Sequence, residues 1–355
     1  MKTLITANFD PDVLTSLEDE LGLEVEYEPI SEREGRLSEE AFRQRLDGVE
    51  LLVVGYEGVS ESVLADAEAL RIIACPRGGP DANVDIEAAT DHGIPVVYTP
   101  GRNAKSVGDF TWGQILAVCR NIAHAHHLLH TGSYTGEPRA DAAEGGSRED
   151  VTWGLGKESP YTVLKGTELA DKRVGLVGLG AVGQEVAKRA QGFEVDLVAY
   201  DPFVDADEMA AYGAEKVDLD VLLETSDIVS VHVPVTDATR GLLGPEEFDR
   251  MKQGAYFINN ARAAVVDSDA LLDALQSGDL RGAALDVYEE EPIPDDHPLL
   301  DLDTVVTTPH LGGATDSVIS RHSEMIKADL EALLAGDEPA HIANEEVLES
   351  GSVVD

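Results

Sequence analysis

The run RVGLVGLGAVGQEVAKRA, residues 173–190, constrains the fold more than any other stretch of this 355-residue chain. A short apolar segment meets Gly178, Gly180 and Gly183 and passes into an amphipathic segment, the strand–turn–helix opening of a βαβ unit. The first glycine permits the tight turn, the second lets backbone approach a pyrophosphate, and the third lets helix and strand pack closely. Unpaired N–H groups at the helix start then favour an anion. The segment DLVAY is followed by Asp201, eighteen residues after Gly183, where a carboxylate would meet both adenosine ribose hydroxyls and repel the extra phosphate of NADP. Pro202 and Phe203 follow, with no Arg to hold that phosphate, so the expected cofactor is NAD.

The rest of the chain repeats this alternation. Strand candidates KTLITA, LEVEYEP, LLVVGY, RIIACP and PVVYTP form one set, and RVGLVGLG, DLVAYDP, DIVSVHVP, AYFINNAR, GAALDVY and TVVTTPH a second. Amphipathic stretches between them give the pattern of parallel sheets covered by helices. Between the sets, 104–130 reads as a helix, and 131–165 is polar, acidic and Gly-rich, too long for an ordinary connection and therefore an arm or lid.

Composition narrows the function. With 26 basic and 69 acidic residues the net charge is −43, while 43% of residues are hydrophobic. That apolar share fits a folded protein, since disorder needs low hydrophobicity as well as high charge. So acidic a surface repels phosphate backbones and anionic lipids, and neither nucleic acid nor membrane is an expected partner. Only nine of the basic residues are Lys, and the acids are spread along the chain. This balance suits a cytoplasm of high ionic strength, where about 1 M salt shortens the Debye length to ~3 Å and removes self-repulsion. Cys75 and Cys119 lie in apolar stretches without CxxC or metal spacing, as expected of a reducing compartment. The start MKTLITANFD has no signal-peptide pattern, and the expectation is a soluble cytoplasmic protein. His124, His126, His127 and His130 have helical spacings that could hold a metal, but an interface helix is the favoured reading and no metal is expected.

Over 76–334 the sequence resembles the D-isomer-specific 2-hydroxyacid dehydrogenases, a family that includes 3-phosphoglycerate dehydrogenases and glyoxylate/hydroxypyruvate reductases. The blocks TPGRNAKSVGDF, KGTELADKRVGLVGLGAVG, SVHVPVTDATRGLL, INNARAAVVD, AALDVYEEEP and TPHLGGAT carry the resemblance, in the family's order. It implies hydride transfer between a nicotinamide and C2 of a D-2-hydroxy or 2-keto acid, with Arg262, Glu291 and His310 as the catalytic set. A histidine suits proton transfer to the oxygen that gains charge, a carboxylate on its other nitrogen fixes the tautomer, and an arginine fork suits a carboxylate. For the cofactor it implies backbone N–H groups of Ala181 and Val182 at the pyrophosphate. His232, Val233, Pro234 and Thr239 fall on the adenine side, and Asn260, Ala261, Asp286, Gly312 and Gly313 toward the nicotinamide. For the substrate it implies backbone of Gly78 and Gly79 at the carboxylate, with Arg77, Tyr56 and Glu57 on loops facing the pocket. Glu57 makes a phosphorylated substrate less obvious, although Arg77 or Arg102 could answer a phosphate.

The implied architecture is α/β with two doubly wound Rossmann-like domains and the reaction in the cleft between them. A discontinuous flavodoxin-like substrate domain spans 1–103 and 308–340. An NAD-binding domain spans 104–307 and carries a dimerisation helix and arm at 104–165, and 341–355 forms an acidic tail. A homodimer is expected. About twenty residues follow Ala335, fewer than the regulatory domain of some 3-phosphoglycerate dehydrogenases, so serine feedback is not expected. Formate dehydrogenases are disfavoured because they pair their His with Gln where Glu291 stands. An NAD-sensing corepressor of the C-terminal-binding-protein type is a rival that an intact triad leaves open.

Overall fold

The computed structural model describes residues 1–135, 157 and 159–349. It divides into two compact units, Met1–Arg102 with Ala314–Asp355, and Asn103–Gly313. In the first, β1 (Lys2–Ile5), β2 (Glu24–Tyr27), β3 (Leu51–Val53), β4 (Ile72–Cys75) and β5 (Val96–Tyr98) form a parallel sheet in the order β2-β1-β3-β4-β5. Alternate residues supply two apolar layers. Leu4, Leu52, Ile73 and Val96 pack with Phe42, Leu46 and Leu64 on one face. Ile5, Val53, Ile72 and Val97 pack with Leu17, Ile326 and Leu330 on the other. Every central strand is therefore buried on both sides, which is why it reads as an unbroken β-branched run.

The second unit holds β6 (Arg173–Val177), β7 (Asp196–Tyr200), β8 (Glu215–Lys216), β9 (Ile228–Val231), β10 (Ala255–Asn259), β11 (Leu280–Leu285) and β12 (Val305–Thr307). Their order is β12-β11-β10-β9-β6-β7-β8, all parallel. Strand order reverses between β6 and β9, and the crevice beyond the carboxyl ends of strands at such a point is where doubly wound sheets bind ligands. Helix Ala104–Cys119 covers one face, where Trp112 donates to the Val186 carbonyl (2.9 Å) and stacks on Phe193.

Four expectations change. The helix expected over 104–130 breaks after Cys119 and restarts at Ile122, because Asn121 turns left-handed (φ 53°) and donates to the Leu164 carbonyl, while Thr167 N–H takes the Cys119 carbonyl. The strand Glu215–Lys216 was not expected, since two charged edge residues carry no apolar period. The second crossing between units falls at 313/314 rather than 307/308, because 308–312 is tied to the second unit by bonds described below. Finally, 341–349 is no tail. Residues 342 and 343 pair with the edge strand β5, and the fully buried Asn344 bonds Val96 N–H and the Ile94 carbonyl. Covering a free sheet edge explains why this acidic segment is ordered. Most of the expected arm at 131–165 lies outside the described residues. Among the described residues no helix is long and apolar enough to cross a membrane.

Candidate functional site

The dinucleotide motif assembles at the carboxyl end of β6. Gly178 has φ 97°, and a Cβ there would lie 2.8 Å from Val233 Cγ1 and 3.0 Å from the His232 carbonyl. A Cβ on Gly183 would stand 2.3 Å from the Gly178 carbonyl oxygen, so helix and turn meet backbone to backbone. At Gly180, by contrast, a Cβ would meet nothing within 4 Å. Helix Ala181–Ala190 starts there with no side-chain cap and no acid in its first turn, so the dipole's positive end is left for an anion. Asp201, at the end of β7, accepts Leu179 N–H on one oxygen and Phe203 N–H on the other (2.9 Å each), which leaves lone pairs on both.

His232, Val233 and Pro234 follow β9. His232 is buried, its Nε2 lies 2.9 Å from Ser230 Oγ, and its Nδ1 has no partner among the described residues. Thr239 closes its own turn, accepting Thr236 N–H (2.8 Å). After β10, Asn260 donates to Thr111 Oγ1 (3.2 Å) and leaves Oδ1 buried without a partner. A helix N-terminus without a side-chain cap, open space at Gly180, a carboxylate at the end of β7 and orphaned buried atoms at His232 and Asn260 fit a bound dinucleotide.

The expected catalytic residues all belong to the second unit. His310 Nδ1 lies 2.8 Å from Glu291 Oε2, and Glu291 Oε1 accepts Tyr288 N–H (3.2 Å). Burial alone pushes the Glu291 carboxyl upward, but the bonds from His310 and Tyr288 and the charge of Arg262 outweigh it and hold it below the usual carboxylate range. The Glu291 side chain is therefore ionised near neutrality. His310 sits at φ 56°, an uncommon conformation for a residue with a Cβ. Asp286, 1% exposed, is what imposes it: one oxygen takes Leu311 N–H (2.7 Å) and the Thr308 hydroxyl (2.6 Å), the other Gly312 N–H (2.7 Å). Gly312 and Gly313 pack tightly, since a Cβ on them would lie 3.2 Å from Asp286 Oδ2 and Asn103 Nδ2 respectively. Arg262 is exposed and donates to the Ala261 carbonyl (2.7 Å).

Sequence reasoning missed the residues that hold this set in place. Asn259 pins the turn through Arg262, accepting Ala261 N–H (3.0 Å) and donating to the Arg262 carbonyl (3.1 Å). Gln114 donates to Thr308 Oγ1 (2.8 Å), and the Tyr288 hydroxyl accepts Thr308 N–H (3.1 Å). A polar Gln114 amid the apolar helix residues around it was the one available signal.

In the first unit, Tyr56 follows β3 and Arg77, Gly78 and Gly79 follow β4, with the Arg77 guanidinium carbon 5.3 Å from the Tyr56 ring centre. Glu57 is a correction: it points inward, 2% exposed, bonded to Thr6 Oγ1 (2.7 Å) and paired with Arg33 (2.9 Å). It therefore presents no charge to a ligand. Burial pushes the Cys75 and Cys119 thiols up to about 12, which makes them inert at neutral pH. His126 and His130 rings lie 4.1 Å apart and His124 Nδ1 lies 3.4 Å from Asp303, yet among the described residues no group of three or more metal-ligating side chains occurs.

Two buried histidines make a pH prediction. Burial lowers both His232 and His322 to about 4. The unfolded chain then binds protons before the folded one as pH falls, so their contribution is complete above about 6.5 and declines toward 4. Each should cost about 2 kcal/mol between pH 7 and pH 5. Denaturant unfolding at the two pH values in constant salt should show the lower midpoint at pH 5; equal midpoints would contradict it.

A doubly wound parallel sheet with an uncapped helix start after β6, a carboxylate at the end of β7 and a His310–Glu291 pair fits a nucleotide-dependent oxidoreductase. Residues 112–312 match the model of the D-isomer specific 2-hydroxyacid dehydrogenase, NAD binding domain. A glyoxylate reductase of Thermofilum pendens is 40% identical over 87% of this chain and 85% of its own. A D-3-phosphoglycerate dehydrogenase of Methanocaldococcus jannaschii is 34% identical over 97% of this chain, which spans 59% of that enzyme's length. The crystal structure of the TT0316 protein from Thermus thermophilus superposes with a TM-score of 0.78, at 33% identity, covering 97% of this chain and all of that one. The chain belongs to the D-isomer-specific 2-hydroxyacid dehydrogenases. It is an NAD-dependent oxidoreductase acting on small 2-hydroxy and 2-keto acids.

Proposed function

We propose that Arg262, Glu291 and His310 carry the reaction and that the residues named above in the second unit hold the cofactor. The observation that supports this most is the 2.8 Å contact between His310 and an ionised Glu291, on a loop fixed by Asp286. Because Glu291 occupies Nδ1, the proton passes at Nε2. Reduced NAD, when bound there, would supply the hydride that C2 of the keto acid receives. As charge grows on the carbonyl oxygen, His310 Nε2–H gives up its proton to it, and the Arg262 fork holds oxygen and carboxylate in place. In the reverse direction His310 takes the hydroxyl proton. The first unit binds substrate through Tyr56, Arg77 and the Gly78–Gly79 backbone, whose adjacent N–H groups suit a carboxylate.

Asp201 sets the nucleotide preference. kcat/KM for NADH should exceed that for NADPH, and Asp201→Ala should narrow the gap; a wild type that favours NADPH contradicts this. The homodimer reading is supported by Ile122 and Leu129, 54% and 52% exposed on helix Ile122–His130, apolar surface that a partner would cover. Light scattering should give twice the chain mass. The cytoplasmic, salt-adapted reading is supported by the −43 charge. Activity and stability should fall together as salt is diluted from about 1 M, where screening reaches ~3 Å. Full activity at low salt would overturn the salt-adapted reading and leave the enzymatic one standing.

A further inference from the structure

Of the acidic run Glu289, Glu290 and Glu291, the proposed catalytic pair uses only the last. The other two, both exposed, stand at the mouth of a cavity of about 290 Å³ that lies wholly within the second unit. The buried side chains of Leu271, Leu285, Val287 and Leu299 form its apolar floor, and the half-buried Ser268, Tyr288 and His297 stand above them. Neither Arg262, Glu291, His310, Asp201 nor any glycine of the dinucleotide motif lines it, so it is separate from the places proposed for substrate and nucleotide. Its volume is close to the lower end, ~300 Å³, of small-molecule pockets.

The free polar groups at this mouth are acceptors. Glu289 Oε1 takes the Ser268 hydroxyl (2.9 Å), and His297 Nδ1 is spent on Leu299 N–H (3.3 Å). Among the described residues Glu290 has no ion-pair partner, and no Lys or Arg lines the cavity. Two carboxylates above an apolar floor are answered together by a positive N–H donor carried on a hydrocarbon body; an anion is repelled, and an inorganic cation leaves the floor wet.

Two residues of the cavity wall also hold catalytic groups. Asn259 accepts Ala261 N–H (3.0 Å) and donates to the Arg262 carbonyl (3.1 Å). Tyr288 N–H donates to Glu291 (3.2 Å), and its hydroxyl accepts Thr308 N–H (3.1 Å). A cation that draws Glu289 off Ser268 therefore pulls on the residue next to Tyr288, in the stretch that presents Glu291 to His310.

We propose that this cavity is an effector site for a compact organic ammonium ion with a hydrocarbon body, and that filling it slows turnover by loosening the bond between Tyr288 and Glu291. The binding stands on the cavity alone, while the effect on turnover rests on the dehydrogenase reading. A ligand acts in this way only if it prefers the loosened arrangement, and competition with Ser268 for Glu289 supplies that preference.

The test uses the whole chain in molar KCl and N,N-dimethylbenzylamine, a tertiary amine that is protonated at neutral pH and cannot condense with a keto acid. Calorimetry should show it binding about tenfold more tightly than benzyl alcohol, which lacks the charge, and trimethylamine, which lacks the ring, as one charge-assisted contact over an apolar floor predicts. Glu289→Gln and Glu290→Gln, both at exposed positions, should each weaken it severalfold. At saturation kcat with NADH should fall by about twofold or more, with KM for NADH and for the keto acid unchanged. Equal binding of amine and alcohol, an affinity intact in both variants, or competition with NADH or the keto acid would overturn the effector site and leave the dehydrogenase reading standing. Binding as expected with kcat unchanged would overturn the coupling to Glu291. Binding as expected in a chain that reduces no 2-keto acid would support the cavity and overturn the dehydrogenase reading.

Discussion

His310→Ala should reduce kcat for NADH-dependent reduction of a 2-keto acid by roughly 10²–10⁴-fold, the usual contribution of a positioned general acid, and leave NADH binding intact. The separation follows from the structure. His310 bonds through its side chain to Glu291, whereas the nucleotide features lie at Gly178, Gly180, Gly183 and Asp201 around β6 and β7. The loop itself is fixed through the backbone N–H groups of Leu311 and Gly312 on Asp286, which alanine does not disturb. It also removes bulk from a left-handed residue without changing the need for that conformation. Steady-state kinetics with a fluorescence titration of NADH would check both halves. Turnover near the wild-type rate would remove His310 from the mechanism.

A second large effect is expected at Gly183, and its size depends on two glycines three residues apart behaving differently. Alanine inside a helix normally gains about 1 kcal/mol over glycine. At Gly183 the new methyl would lie 2.3 Å from the Gly178 carbonyl oxygen, a backbone atom that cannot give way without moving β6 or the helix. Overpacking of this kind costs about 1–3 kcal/mol, and here it distorts the turn proposed to receive the pyrophosphate. Gly183→Ala should therefore lower the unfolding midpoint and abolish NADH binding. Gly180→Ala adds a methyl that touches nothing within 4 Å, so stability should hold while NADH affinity drops, because the methyl fills the space proposed for the pyrophosphate. Thermal unfolding and NADH titration of both variants distinguish the two; a Gly183→Ala protein as stable as wild type would contradict the packing argument.

Much of this was legible in the chain because the strands are buried on both faces and must be continuous apolar runs, so LLVVGY and RIIACP could hardly be anything else. The glycine turn was legible because close backbone approach at Gly178 and Gly183 restricts residue choice there. What escaped reading was held by tertiary contacts with no local period. Nothing near Asn121 signals a break, which depends on the Leu164 carbonyl arriving from 43 residues away. Glu57 looked like a pocket residue until Thr6 and Arg33 turned it inward. The ties from Gln114 and Asp286 to the His310 loop span 194 and 25 residues, and only the fold brings those partners together. The acidic composition likewise misled at 341–349, where Asn344 rather than net charge decides that the segment packs.

The most direct test is to follow the transferred atom. NADH deuterated at the reactive C4 position, mixed in a single turnover with a 2-keto acid in molar salt, should deliver deuterium to C2 of a product of D configuration, with an oxygen-bound proton that exchanges with solvent. In Arg262→Ala and His310→Ala the labelled product should be strongly depleted while NADH remains bound. Label absent from C2, a product of L configuration, or undiminished transfer in both variants would contradict the account of this site.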